Sequence, residues 1–249
     1  MLPENDGEII EADNANTAFT FACNLPGKTG KNEIYVYRLE EWFKVFVHET
    51  IHSFGIDFAS MNQMDVQSRI CEQDIYRVPC KDLRFYESYT ETWAELIQCM
   101  FAVFIERLNK LSPEPVSMLE EYVYGCEAPF SAFQCTKVLD HFGLAYSDLF
   151  NGAAASYKES TPVFAYYVIK SVFMNHADEF IQWTMENNGG SLQFKKLATN
   201  VNKLADLLKR LCKTDKYLAK MDEMDAVLDG KLDNVLLGET MRMSCMSFL

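Results

Sequence analysis

Leu39–Phe54, LEEWFKVFVHETIHSF, is the stretch on which the fold turns. Trp42, Phe43, Val45, Phe46, Val47, Ile51 and Phe54 recur at helical spacing and lie almost all round the helix, as in a helix buried within a core. Acidic residues open it, where the helix dipole favours negative charge. Gly55 closes it. His48, Glu49 and His52 are the conspicuous polar groups inside this apolar segment. Burying a carboxylate and two imidazoles is costly unless they are paired or bound to a cation.

On the N-terminal side, Thr17–Cys23 alternates and is rich in strand formers, Asn24–Lys31 is turn chemistry, and Glu33–Arg38 is a second strand candidate. Together they predict a small antiparallel sheet with a long loop. Residues 1–16 are polar and acidic and read as a loose arm. On the C-terminal side, Gly55–Arg84 has weak periodicity and reads as a long connection holding one short helix. Phe85–Leu108, FYESYTETWAELIQCMFAVFIERL, is a second strong helix. Pro113 and Pro115 then break the chain. Helical patterns follow at 116–125, 131–140, 160–182, 191–212 and 215–230. The 191–212 pattern puts Phe194, Leu197, Val201, Leu204, Leu208 and Leu211 on one core-facing side. The expected class is α+β, with residues 1–112 carrying the sheet and the two strong helices. Residues 113–249 form a mostly helical part that completes a cleft.

Composition narrows the function. The 249 residues are 49% hydrophobic and 24% charged, the balance of a soluble globular protein. A net charge of −13 repels phosphate and argues against nucleic acid as a partner. The eight cysteines contain no C-x-x-C pair, so a cysteine-only zinc site is not signalled. Cys71 and Cys80 share one loop-like segment, where a bridge would fit. The start, MLPENDGEII, has no apolar run, and Leu96–Ile105 and Val163–Met174 are too short to span a bilayer. These features predict an intracellular protein that is not secreted, with mostly free thiols and no membrane partner.

His48-Glu49-Thr50-Ile51-His52 is an H-E-x-x-H motif. Residues four apart lie one turn apart on the same helix face, so both imidazoles can grip one zinc ion. Glu49 is displaced around the helix, where its carboxylate can act as general base on a water. Two of the chain's four histidines are in this motif. A third ligand is needed. The longer pattern H-E-x-x-H-x-x-G-x-x-H is matched by Gly55 but ends on Phe58, which cannot bind metal, and Asp57 falls one residue early. The other source is Phe85–Leu108, where Glu87, Glu91 and Glu95 share one face. Their alternative role is a solvated acidic face.

Glu91-Thr-Trp-Ala-Glu95 resembles the E-x-x-A-[DE] element of the gluzincin metallopeptidases. The resemblance implies a zincin-like fold, one Zn2+ held by His48, His52 and Glu91, and Glu95 as hydrogen-bond acceptor for an imidazole N–H behind the metal. Glu95 stands where that family more often has Asp, so Glu87 and Glu95 remain in play as ligands. It further implies a downstream donor to the oxyanion, for which Tyr166, Tyr167, His141 and His176 are candidates. The runs EEWFKVFVHETIHSFGIDFA, ESYTETWAE and TPVFAYYVIKSVF resemble, in order, uncharacterised metallopeptidase-like proteins of large DNA viruses. This implies a protein of the infected cytoplasm or the virion that hydrolyses a peptide or protein substrate. Two rivals are a catalytically silent metal-binding structural or virion protein and a metal-dependent hydrolase of a non-peptide amide.

Overall fold

The computed structural model describes residues 1–21, 33–109, 115–230 and 235–248. Cys23, the turn at Asn24–Lys31 and Pro113 lie outside the described residues. The chain is mostly helical with one small sheet, an α+β composition. A short helix α1 (Ala12–Ala15) precedes strands β1 (Ala18–Phe21) and β2 (Glu33–Val36), which pair antiparallel with Ala18 opposite Val36 and Phe21 opposite Glu33. Helix α2 (Trp42–Ser53) carries the H-E-x-x-H motif. After α3 (Met64–Ser68) and a π-helical turn (Arg69–Gln73), the long α4 (Phe85–Asn109) packs against α2. Then come α5 (Pro115–Glu120), a π-helical stretch (Glu121–Glu127), α6 (Ala128–Asp140), α7 (Asp148–Asn151), a 3-10 turn (Ala154–Ser156), a third π-helical segment (Phe164–Ile169) and α8 (Lys170–Met174). Helices α9 (Ala177–Asn187), α10 (Ala198–Leu211), α11 (Asp215–Asp229) and α12 (Val235–Glu239) complete the order. One apolar core runs from Ile10 to Met243 and joins both halves of the chain.

Helix α2 does not bury its whole circumference. Its inward side carries Lys44, Val45, His48, Glu49, Ile51 and Ser53, while Trp42, Phe46 and Phe54 are exposed. Lys44 and His48 are tolerated inside because each finds a charged or hydrogen-bonding partner across the α2–α4 contact, which offsets the cost of burying them. The helix ends in a Schellman-type reversal: Ile56 N–H donates to Ile51 O at 2.9 Å, and Gly55 N–H to His52 O at 2.9 Å. Gly55 takes φ +61° there.

Other expectations change for stated reasons. Residues 1–16 are not loose: Ile10 is buried and bridges to Glu159, and Gly7 N–H donates to His141 O at 2.7 Å. Apolar burial and backbone pairing outweigh the acidic composition of this arm. The pattern at 160–182 is two helical pieces. His176 breaks it, with one ring nitrogen 2.9 Å from Val172 O and the other 3.0 Å from Thr214 Oγ1. Helix α10 starts at Ala198; Phe194 is buried from the preceding loop against Phe58, with ring centres 4.2 Å apart. Leu197, expected on the buried face, is exposed. Cys71 and Cys80 carry free, buried thiols. Among the described residues no helix is long and apolar enough to cross a membrane.

Gly55→Ala puts a Cβ in a left-handed conformation, with only an ordinary contact at 3.5 Å to Lys196 Nζ. The cost is therefore conformational, about 1–2 kcal/mol, and should lower the thermal midpoint by roughly 2–8 °C in a melting experiment.

Candidate metal centre

The site is built where α2 and α4 meet. Along α2, Lys44, His48 and His52 follow at four-residue spacing. Along α4, Glu87, Glu91 and Glu95 do the same. All three acids are buried, which excludes the solvated face. The helices meet antiparallel, so Glu91 stands beside Lys44 and His48, and Glu87 beside His48 and His52.

The three atoms His48 Nε2, His52 Nε2 and Glu87 Oε2 form a nearly equilateral triangle. The two nitrogens are 2.9 Å apart, and the carboxylate oxygen is 3.2 Å from His48 and 3.1 Å from His52. Each imidazole turns its other nitrogen to a carboxylate: His48 Nδ1 lies 2.7 Å from Glu91 Oε2, and His52 Nδ1 contacts Asp57 Oδ2. An ionised carboxylate only accepts, so both Nδ1 atoms carry hydrogen and donate it. In the neutral rings both Nε2 lone pairs then point at each other and at a third electron-pair donor. That convergence requires protons or a cation at its centre. Donors around a tetrahedral zinc bound at about 2.0–2.1 Å stand roughly 3.3–3.4 Å apart, close to the triangle seen here. His48, His52 and Glu87 are thus able to hold one metal ion.

Glu91 and Glu95 stand one turn away from their expected roles. Glu91 takes the position behind His48, and Glu87 is the carboxylate that meets both Nε2 atoms. The reason is Lys44, a buried cation one turn before His48 that captures Glu91 Oε1. Glu95 does not reach an imidazole; it pairs with Lys170 Nζ at 2.7 Å. Asp57 is the residue whose role the sequence did not suggest. The reversal at Gly55 folds it back under His52, and its Oδ1 accepts Ala59 N–H at 2.8 Å, which fixes the carboxylate. A polar residue soon after a helix-closing glycine was the available signal.

Glu49 is buried and makes no hydrogen bond or ion pair with other described residues. It lines a small cleft of about 40 Å³ with His48, Lys44, Glu91, Tyr166, Met243 and the segment Ala15–Ala18. Tyr166 is the oxyanion-donor candidate found there, its ring 6.1 Å from that of His48. Tyr167 donates to Met241 O, His141 Nε2 contacts Glu8 O, and His176 is occupied at the α8–α9 break.

Electrostatics follow from this packing. Burial raises the Glu49 carboxyl above its ordinary range, and the two histidines only partly oppose it. Burial would depress His48, but hydrogen bonds to Glu87 and Glu91 outweigh it and push it up to about 9. His52 is likewise held well above its usual value, with burial opposed by Glu87 and Asp57. Glu87 is lowered: burial acts against this, and the paired imidazoles prevail.

Comparison with known proteins finds no matching family model, no matching curated protein and no matching solved structure.

Two outcomes follow. Glu87→Ala should lose stoichiometric metal, whereas Glu91→Gln should keep it with affinity weakened about 10–100-fold, as chelator competition would measure. The reverse order would return the ligand role to Glu91. In metal-free protein the raised imidazoles stabilise the fold fully below about pH 6.5. That contribution is lost as pH rises through about 9, so urea midpoints should fall across this window.

Proposed function

We propose that this chain is a zinc-dependent metallopeptidase of the gluzincin type on a zincin-like scaffold. The observation that carries the reading is the convergence of two Nε2 atoms and one carboxylate oxygen within 3.2 Å, each imidazole backed by its own carboxylate. When bound, zinc would polarise a carbonyl and acidify a water. His48, His52 and Glu87 would hold the ion. Asp57 and Glu91 keep the rings aimed. Glu49 takes the proton of the attacking water and returns it to the leaving amine. Its burial, which raises the carboxyl, suits both halves of that transfer. The Tyr166 hydroxyl donates to the developing oxyanion.

Residues 1–112 supply the metal ligands and Glu49, and residues 113–249 supply Tyr166 and Met243 to the lining of the cleft. The ligand carboxylate lies one turn before the Glu91–Glu95 element, a departure from the gluzincin pattern. The viral resemblance extends the reading to an enzyme of the infected cell or the virion.

One observation favours a second reading. A cleft of about 40 Å³ admits water but no peptide, whereas ligand pockets usually span about 300–1,000 Å³. A catalytically silent metal protein needs no larger opening, while a peptidase must open this cleft. The unpaired carboxylate of Glu49 favours the enzyme, since a structural metal site has no use for it. Zinc-loaded wild type should cleave members of a broad peptide library. Glu49→Gln should lose nearly all of that activity while retaining zinc, and Tyr166→Phe should lose about 10²–10³-fold in kcat. Equal inertness of wild type and Glu49→Gln would leave the metal-binding reading alone.

A further inference from the structure

The two histidines are supported in different ways. His52 is backed locally by Asp57, five residues on. His48 is backed by Glu91, whose other oxygen contacts Lys44 Nζ. Lys44 Nζ also lies 3.8 Å from Glu41 Oε1. That same Glu41 oxygen accepts the backbone N–H groups of Met243 at 2.9 Å and Ser244 at 2.6 Å. Glu41, Lys44, Glu91 and Ser244 are all buried. The path from the backbone at 243–244 to the His48 ring is therefore short, polar and shielded from water.

The segment 240–246 is seated by further buried side chains. Glu127 accepts the N–H groups of Cys245 at 3.1 Å and Met246 at 3.1 Å, and Lys170 donates to Met243 O at 2.8 Å. These contacts are to backbone, so they fix the position of the segment. Met243 also lines the cleft beside His48 and Glu49. Glu41 has φ +60°, a strained conformation for a residue with a side chain, and it begins α2. Such a conformation persists where surrounding contacts over-determine it, and here those contacts are Lys44 and the 243–244 backbone.

We propose that Lys44 and Glu41 are positioning residues that fix the His48 ring through Glu91, and that the seating of segment 243–246 sets them. The functional consequence rests on the metal-centre reading; the relay itself is present without metal. Segment 243–246 thereby acts directly on His48 and reaches His52 only through it. Lys44 acts in two ways. It balances the charge of Glu91 and Glu41, and it holds Glu91 away from the ligand position that Glu87 fills. A packing role alone would survive Lys44→Met, which keeps an unbranched apolar stem, whereas the relay needs the cation.

The test uses the full, metal-free chain labelled with 15N-histidine. Four histidines give a resonance set assignable by single substitutions. At fixed pH, Lys44→Met and Glu41→Gln should move the ring nitrogens of His48 most, those of His52 less and only through the shared Nε2 contact, and leave those of His141 and His176 in place. Lys44→Arg should restore the wild-type pattern at least in part. In chelator competition Lys44→Met should weaken zinc binding about 10–100-fold, the range for residues behind a ligand. Glu41→Gln keeps the size of the side chain and carries the test if Lys44→Met does not fold. Equal shifts of His48 and His52, or no shift of His48, would overturn the relay. A wild type that binds no zinc yet shows the His48-specific shifts would overturn the metal reading and leave the relay standing.

Discussion

Everything near the candidate site depends on the pairing of two four-residue ladders across α2 and α4. Lys44, His48 and His52 on one helix meet Glu87 and Glu91 on the other. Glu95 continues the second ladder and finds Lys170. Breaking one of these buried pairs is costly, because removing either partner leaves an uncompensated charge in the core. Sliding one helix by a turn would place at least one acid against an apolar neighbour. The ladder therefore fixes the register of the helices, and the register fixes which glutamate meets both Nε2 atoms.

The same constraint explains the inverted dress of α2. Its charged and polar residues turn inward, and Trp42, Phe46 and Phe54 face out. The hairpin behaves likewise, with Phe19, Phe21 and Tyr35 exposed and packed on one another; Phe19 and Tyr35 stack with ring centres 5.0 Å apart. The core gains its apolar area elsewhere, from α4, α6, α8 and α10 and from the buried ends of the chain. Glu41, Lys44 and Glu127 extend the polar network to the segment after α12, so residues far apart in sequence share one electrostatic arrangement.

The legible parts of the site were those set by local spacing. His48, Glu49 and His52 follow from a helix and a motif, and the structure brings them together with a glutamate of α4. The identity of that glutamate was not legible. Glu87, Glu91 and Glu95 share a face, and only the capture of Glu91 by Lys44 selects among them. Asp57 was hidden because its approach to His52 depends on the reversal at Gly55. Among the four oxyanion candidates, sequence favoured Tyr166 and Tyr167 by their place along the chain but did not choose between them. The structure leaves Tyr166 at the cleft and ties Tyr167, His141 and His176 to backbone or hydroxyl partners.

By itself the sequence determined α2, α4, the hairpin strands and the pair of imidazoles one turn apart, because hydrophobic period, helix punctuation and i,i+4 geometry are local properties. It left open which side of α2 faces inward, where the arm at 1–16 and the segment at 240–246 pack, and where the helical patterns at 160–182 and 191–212 are broken. Tertiary structure decided these because they turn on partners supplied by distant chain: Glu159 for Ile10, Thr214 for His176, Glu41 and Glu127 for the backbone at 243–246. Burying a charge is costly unless an opposite charge or a hydrogen bond awaits it, and for Glu91, Glu95 and Glu127 that partner comes from a distant stretch of chain.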